Sequence, residues 1–316
     1  MAKMLINGRL QEKPISADGV FHRQVSSFKN WLSADGSTGF KAQPHRYVLF
    51  ISKACPWCHR TTLMHTLLGL DAAVPIVNLK AVMTEQGWEI EQEELARHPS
   101  LPNIIFLYEL YLAADAHYTG NITAPVLWDS QSQTIVSNES ADIMCMFYSQ
   151  FKALRHKPVH IEPLDLYPNH LQEKINTLNE FIYSHISNGI YKTGFATRQQ
   201  AYEIALNNLF NALDIIEEQL KGQDYLLGSA LTEADLRLFP SLIRFDAVYF
   251  IHFKASKKRI RDYPNLSRYS QRLYHLPGVA KTVDMNHIKQ HYFLSHQQLN
   301  PNGIIPHTPE MFASLS

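Results

Sequence analysis

Arg46-Tyr47-Val48-Leu49-Phe50-Ile51-Ser52-Lys53-Ala54-Cys55-Pro56-Trp57-Cys58-His59-Arg60 is the stretch whose reading decides the fold. Tyr47 to Ile51 is short, apolar and rich in residues that favour extended backbone, which predicts a buried strand. Pro56 suits the first position of a helix, because the N–H it lacks has no intrahelical partner there. The helix is predicted to run through His65 to about Leu70, with Leu63, Leu67 and Leu70 on one stripe. Pro75-Ile76-Val77-Asn78-Leu79 predicts a second strand. A strand, a helix and a strand in this order form a parallel pair joined by a crossover.

Downstream, residues 83–103 are polar and irregular, and 104–114 read as an apolar helix. Thr123-Ala124-Pro125-Val126-Leu127-Trp128-Asp129 and Thr134-Ile135-Val136 predict two short strands of a hairpin. Pro125 cannot donate to a ladder and belongs at a strand start or edge. Ser137-Asn138-Glu139-Ser140 opens a helix over 140–151. Segment 155–168, with its prolines, reads as a linker. Beyond it the periodicity is helical, with expected helices at 171–187, 201–220, 237–253, 265–274 and 278–290. In the second of these, Leu206, Leu209, Phe210, Leu213, Ile216 and Leu220 form a core stripe. Thr232 and Asp235 are spaced as a capping box. Upstream, residues 1–44 show little regular pattern and are expected to form an extended arm packed through its aromatics. Residues 298–316 are expected to be irregular.

Of the 316 residues, 45% are hydrophobic and 18% charged, a globular composition with enough apolar side chains for more than one core. The formal net charge is zero, so no global field favours nucleic acid or an anionic membrane. A local basic run, Lys254, Lys257, Lys258, Arg259 and Arg261, reads as a solvated face. Three cysteines are too few for a secreted disulfide framework, and no apolar window reaches the ~18 residues of a membrane span. These features imply a reducing cytoplasmic setting and no membrane partner. Metal binding has little support, because one Cys-x-x-Cys supplies two ligands and no second pair follows.

Cys55 is the candidate nucleophile. The thiolate is the reactive form, and a helix N-terminus favours it through unpaired N–H groups and the macrodipole. Cys58 lies one turn further on the same face. It reads either as a partner in a transient disulfide or as a buried residue beneath the nucleophile. Cys145, in mid-helix, reads as core. A cis bond before Pro125 would leave the Ala124 backbone open for pairing, and cis before proline costs only ~0.5–1 kcal/mol. Glu139 and Ser140 at a helix start suit a ligand with both an ammonium and a carboxylate, although taken alone ordinary capping is the better account of them. The usual signatures of ATP, dinucleotide, zincin and serine-hydrolase sites are absent from the sequence.

Cys-Pro-Trp-Cys-His-Arg, Thr-Ala-Pro-Val-Leu-Trp-Asp and Ser-Asn-Glu-Ser together resemble glutathione transferases. More narrowly, the chain resembles their Xi class, the glutathionyl-hydroquinone reductases. That resemblance rests on Gly19-Val20-Phe21-His22-Arg23, Gln86-Gly87-Trp88, and His117-Tyr118-Thr119-Gly120 through Asp129. It extends to Asn188 through Ala196, Arg244 through Lys254, Asp262 through Leu266, His287 through Phe293, and Asn300 through Pro306. It implies an α/β thioredoxin-like domain at 45–152 that binds glutathione. An all-helical domain at 165–297 follows it, with an arm at 1–44 and a tail at 298–316.

The resemblance also implies Cys55 as nucleophile, with Trp88, Ala124 beside Pro125, Glu139 and Ser140 holding glutathione as co-substrate. Tyr191 and Tyr292 would line the acceptor pocket and manage protons, and a homodimer is implied. Two departures stand out. Cys58 occupies a position where the class usually has Ala, and Asn121 one where it tends to carry Arg. The first keeps a glutaredoxin-like or dehydroascorbate-reducing activity through Cys55 and Cys58 as an alternative. The second keeps a non-catalytic ligand-binding protein as another.

Overall fold

A computed structural model of the chain describes residues 3–12, 18–156 and 164–308. Two compact units result. The first takes the described residues of Met1–Pro14, Gln24–Val159 and Lys281–Gly303, and the second those of Ile15–Arg23, His160–Ala280 and Ile304–Ser316.

The first unit opens with a hairpin, β1 (Lys3–Ile6) and β2 (Arg9–Glu12). Regular structure thus begins inside the 1–44 segment expected to be an extended arm, because Asn7-Gly8, both with positive φ (48° and 73°), make the two-residue turn whose twist suits a hairpin. The main sheet contains β3 (Tyr47–Ile51) and β4 (Ile76–Asn78), paired in parallel as expected from the crossover. The crossover helix, α1 (Pro56–Leu67), ends before Leu70, where Gly69 takes a φ of 63°. It is buried around most of its circumference rather than along one stripe. A short α2 (Gln92–Leu95) and an apolar α3 (Leu107–Ala114) follow. β5 (Gly120–Asn121) adds to the first hairpin through β1. β6 (Val126–Asp129) and β7 (Thr134–Ser137) form the expected antiparallel pair, and the sheet order is β4-β3-β6-β7.

Helices cover both faces of this sheet. Val48 and Phe50 of β3 pack with Trp128, Ile135 and, from α3, Leu107, Leu110 and Tyr111. On the other face lies α4 (Ser140–Gln150), which packs on α1: its Phe147 meets His65, and Phe151 beyond it meets Tyr47. Arg46 donates to both oxygens of the buried Asp129 carboxylate, at 2.9 and 2.6 Å, and so locks the start of β3 to the end of β6. Cys145, expected in the core, is only partly buried.

The second unit is helical among its described residues. It contains α5 (Gln172–Phe181), α6 (Asn188–Gly194), α7 (Gln199–Gln219), α8 (Glu233–Arg244), α9 (Phe250–His252) and α10 (Pro264–Tyr274). Segments of π-helix, Ile182–Ser187 and Phe245–Tyr249, bridge α5 to α6 and α8 to α9. The predicted stripe of α7 is buried from Leu206 to Leu220. The capping box also forms: the Asp235 carboxylate accepts from Thr232 N, Leu226 N and the Tyr269 hydroxyl. Three cations of the basic run lie over aromatic rings, Lys257 on Phe210, Lys258 on Tyr263 and Arg259 on Phe250.

The chain then returns to the first unit with α11 (Met285–Ser295). A helix was expected over 278–290. Gly278, with a φ of 84°, and the Asp284 side chain, which caps His287 N at 2.9 Å, move the start to 285. The linker reading at 155–168 and the tail reading at 298–316 fall partly outside the described residues.

Candidate active site

The β3–α1 turn places Cys55 at the N-cap of α1, with extended φ and ψ (−74° and 123°), and Pro56 takes the first helical position. Cys55 N donates to the Ser52 carbonyl at 3.0 Å, and its own carbonyl accepts the first helical bond from His59 N. The half-buried sulfur lies 3.5 Å from the Ala124 carbonyl oxygen. No acidic residue occupies the first turn of α1, so the partial positive charge of the helix start is left unopposed there by its own helix.

The Ala124–Pro125 bond is cis. A hydrogen-bond network that sequence reasoning missed fixes the strand entrance. The Tyr111 hydroxyl donates to the Thr123 carbonyl at 2.7 Å and accepts from Thr123 N at 3.1 Å and Asn138 Nδ2 at 3.2 Å. Burial pushes the Tyr111 phenol up to about 12, so it stays protonated and can donate. The Asn138 side chain also accepts from Phe28 N.

Glu139 is the N-cap of α4. Its carboxylate accepts from Ala141 N at 3.2 Å, from Ser140 Oγ at 3.4 Å and from Ser26 Oγ at 3.0 Å. Glu139 is therefore a capping residue whose anionic charge stands half-buried at a helix start, and Ser140 beside it is buried. Ser26 gave no local signal in the sequence, because its partner is 113 positions away.

Trp88 is half-buried and stacks on His291 of α11, with centroids 4.7 Å apart and planes 13° apart. Tyr292, the next residue, is almost wholly buried between His291 and His296. Cys55, Trp88, Ala124, Pro125, Glu139, Ser140 and Tyr292 all belong to the first unit. Tyr191 belongs to the second. It lies on α6 among Phe21, Phe195, Tyr249 and Phe253, with the Arg23 guanidinium 5.5 Å from its ring. A cavity of about 620 Å³ in the first unit is lined by Lys53, His59, Asn78, Lys281 and Asp284, among others, but not by Cys55. The thiol sits instead against the Ala124 backbone.

Among the described residues no cluster of three or more His, Cys, Asp or Glu is placed to hold a metal, and no helix is long and apolar enough to cross a membrane. What the arrangement offers is a thiol at a helix start, a backbone edge beside it, and a carboxylate with a serine at a second helix start. In general such groups can pair with a sulfur, a backbone amide, and an ammonium or carboxylate.

Two family models match the chain, the glutathione S-transferase N-terminal domain over residues 54–150 and the C-terminal domain over 199–272. Together with the thioredoxin-like first unit and the helical second, they make the chain a member of the glutathione transferase family. It is 47% identical to the glutathionyl-hydroquinone reductase YqjG of Escherichia coli over 92% of this chain and 89% of that protein. It is 42% identical to the glutathionyl-hydroquinone reductase PcpF of Sphingobium chlorophenolicum over 93% and 91%. Among solved structures, the Xi-class transferase of Natrialba magadii superposes with a TM-score of 0.90 at 38% identity, covering 100% of this chain and 96% of that one. Within the family, these relatives place the chain in the Xi class.

Proposed function

We propose that the protein is a glutathione-dependent reductase that removes glutathione from glutathionyl-hydroquinones through a Cys55–glutathione mixed disulfide. The observation that carries this reading is the Cys55 sulfur at the start of α1, 3.5 Å from the Ala124 carbonyl beside a cis proline. It occurs in a chain 47% identical to a glutathionyl-hydroquinone reductase. The glutathione-bound structure of that relative, with a TM-score of 0.84 and 44% identity over 97% of this chain and 95% of that one, supports glutathione as the co-substrate.

In this reading Trp88, Ala124, Pro125, Glu139 and Ser140 hold glutathione. The Cys55 thiolate attacks the glutathione sulfur of the conjugate in its keto form. A sulfur–sulfur bond forms, the carbon–sulfur bond breaks, and the electron pair passes into the ring to make the carbonyl oxygen a phenolate, which takes a proton to give the hydroquinone. Tyr191 or Tyr292 supplies that proton or steadies the ring oxygen. A second glutathione thiolate then attacks the mixed disulfide and leaves as oxidised glutathione, restoring the Cys55 thiolate.

The glutathione-binding domain in this reading is 45–152 and the helical domain 165–297, flanked by 1–44 and 298–316. The protein works in the cytoplasm as a homodimer, and light scattering on the eluted protein decides the dimer. The test of function is release of oxidised glutathione from glutathionyl-menadiol with excess glutathione. Turnover that vanishes in Cys55→Ala supports the reading, and no turnover in the wild type overturns it.

A further inference from the structure

We infer that Cys58 is a resolving thiol: once Cys55 carries glutathione, Cys58 expels it and closes a disulfide within the first turn of α1. The inference rests on Cys55 being the nucleophile, as proposed above.

Cys55 is the N-cap and Cys58 the third helical residue. Two residues separate them at a helix start, the Cys-x-x-Cys spacing in which a redox disulfide closes. Cys58 is fully buried. A buried thiol is closed to a bulky substrate but open to a neighbour one turn away. Its sulfur also has a donor aimed at it: Ser52 N–H lies 3.4 Å away. That contact strengthens as the sulfur becomes anionic, which offsets part of the cost of ionising a buried thiol.

The step balances. Cys58 gives up its proton, its sulfur bonds to Cys55 Sγ, and the bond between Cys55 Sγ and glutathione breaks. The electron pair leaves on glutathione, which takes up a proton. The two enzyme thiols have together lost two electrons, to a conjugate or to oxidised glutathione, and fresh glutathione reduces the disulfide afterwards. The substrate class this adds is glutathione mixed disulfides and oxidised glutathione itself. Tethering also makes the internal attack effectively concentrated compared with a second glutathione from solution.

The test uses the reduced full chain treated with a small excess of oxidised glutathione, acid-quenched, denatured, alkylated and read by intact mass and peptide mapping. The wild type is expected to carry a Cys55–Cys58 disulfide, no glutathione, and one alkylated thiol, Cys145. Cys58→Ala and Cys58→Ser are expected to hold one glutathione on Cys55; the serine keeps an acceptor for Ser52 N–H should the alanine fold poorly. A wild type that keeps glutathione on Cys55 with Cys58 alkylated overturns the resolving role and leaves the nucleophile assignment standing. A wild type that forms no disulfide and carries no glutathione, with both variants also free of glutathione, overturns both.

Discussion

The Tyr111 hydroxyl ties together three polar groups around the segment that faces Cys55: the Thr123 carbonyl, Thr123 N and Asn138 Nδ2. Tyr111→Phe keeps the ring and removes all three bonds. Leaving buried polar groups unpaired costs about 1–3 kcal/mol, so the melting temperature should fall. Because Thr123 leads directly into Ala124, the KM for glutathione should rise more than kcat falls, a split that steady-state assays would resolve. An unchanged KM would assign the network to stability alone. Tyr111 was legible in the sequence only as an apolar helix position, because its partners lie 12 and 27 positions away. The placement of Cys55 at a helix start was legible because its signal is local: a β-rich run, a cysteine and a helix-starting proline are contiguous.

Elements with local signals were likewise readable. The parallel pair β3–β4, the hairpin β6–β7 and the stripe of α7 follow from strand composition, crossover length and period. The start of α11 depended on the Asp284 cap and the β1–β2 hairpin on a turn conformation, and each shifts on one or two residues. The fit of β3 to β6 is held by Arg46 and Asp129, whose side chains are 11% and 0% exposed. The guanidinium hydrogen bonds hold the Asp129 carboxyl below the usual carboxylate range against the opposing effect of burial, which is the larger single influence. Arg46→Met would strand a buried carboxylate. Removing one partner of a buried pair costs about 3–5 kcal/mol; the slight exposure of Arg46 points to the lower end, about 3 kcal/mol. Chemical denaturation checks this, and Arg46→Met with Asp129→Asn should lose less than Arg46→Met alone.

For the molecule as a whole, acid is the weak side. Burial, with a smaller contribution from Lys254, pushes His252 down to about 4 from 6.5, and burial lowers His65 as well. Between those two values the unfolded chain binds a proton that folded His252 does not. Stability therefore rises with pH through this window and is lost as pH falls from about 6.5 towards 4. The His252 contribution is at most roughly 3 kcal/mol. Denaturant titrations at pH 7 and pH 4.5 should differ in that direction, and His252→Gln should narrow the gap.

Helix α11 carries a different consequence. His291 stacks on Trp88 and donates to the Ala81 carbonyl, while Ser295 Oγ accepts from Met83 N. A ribosome delivers β3, α1 and α4 long before it delivers α11. On the nascent chain Cys55 is thus already translated while the Trp88 loop still lacks the helix that braces it, so this part of the first unit waits on the far end of the sequence.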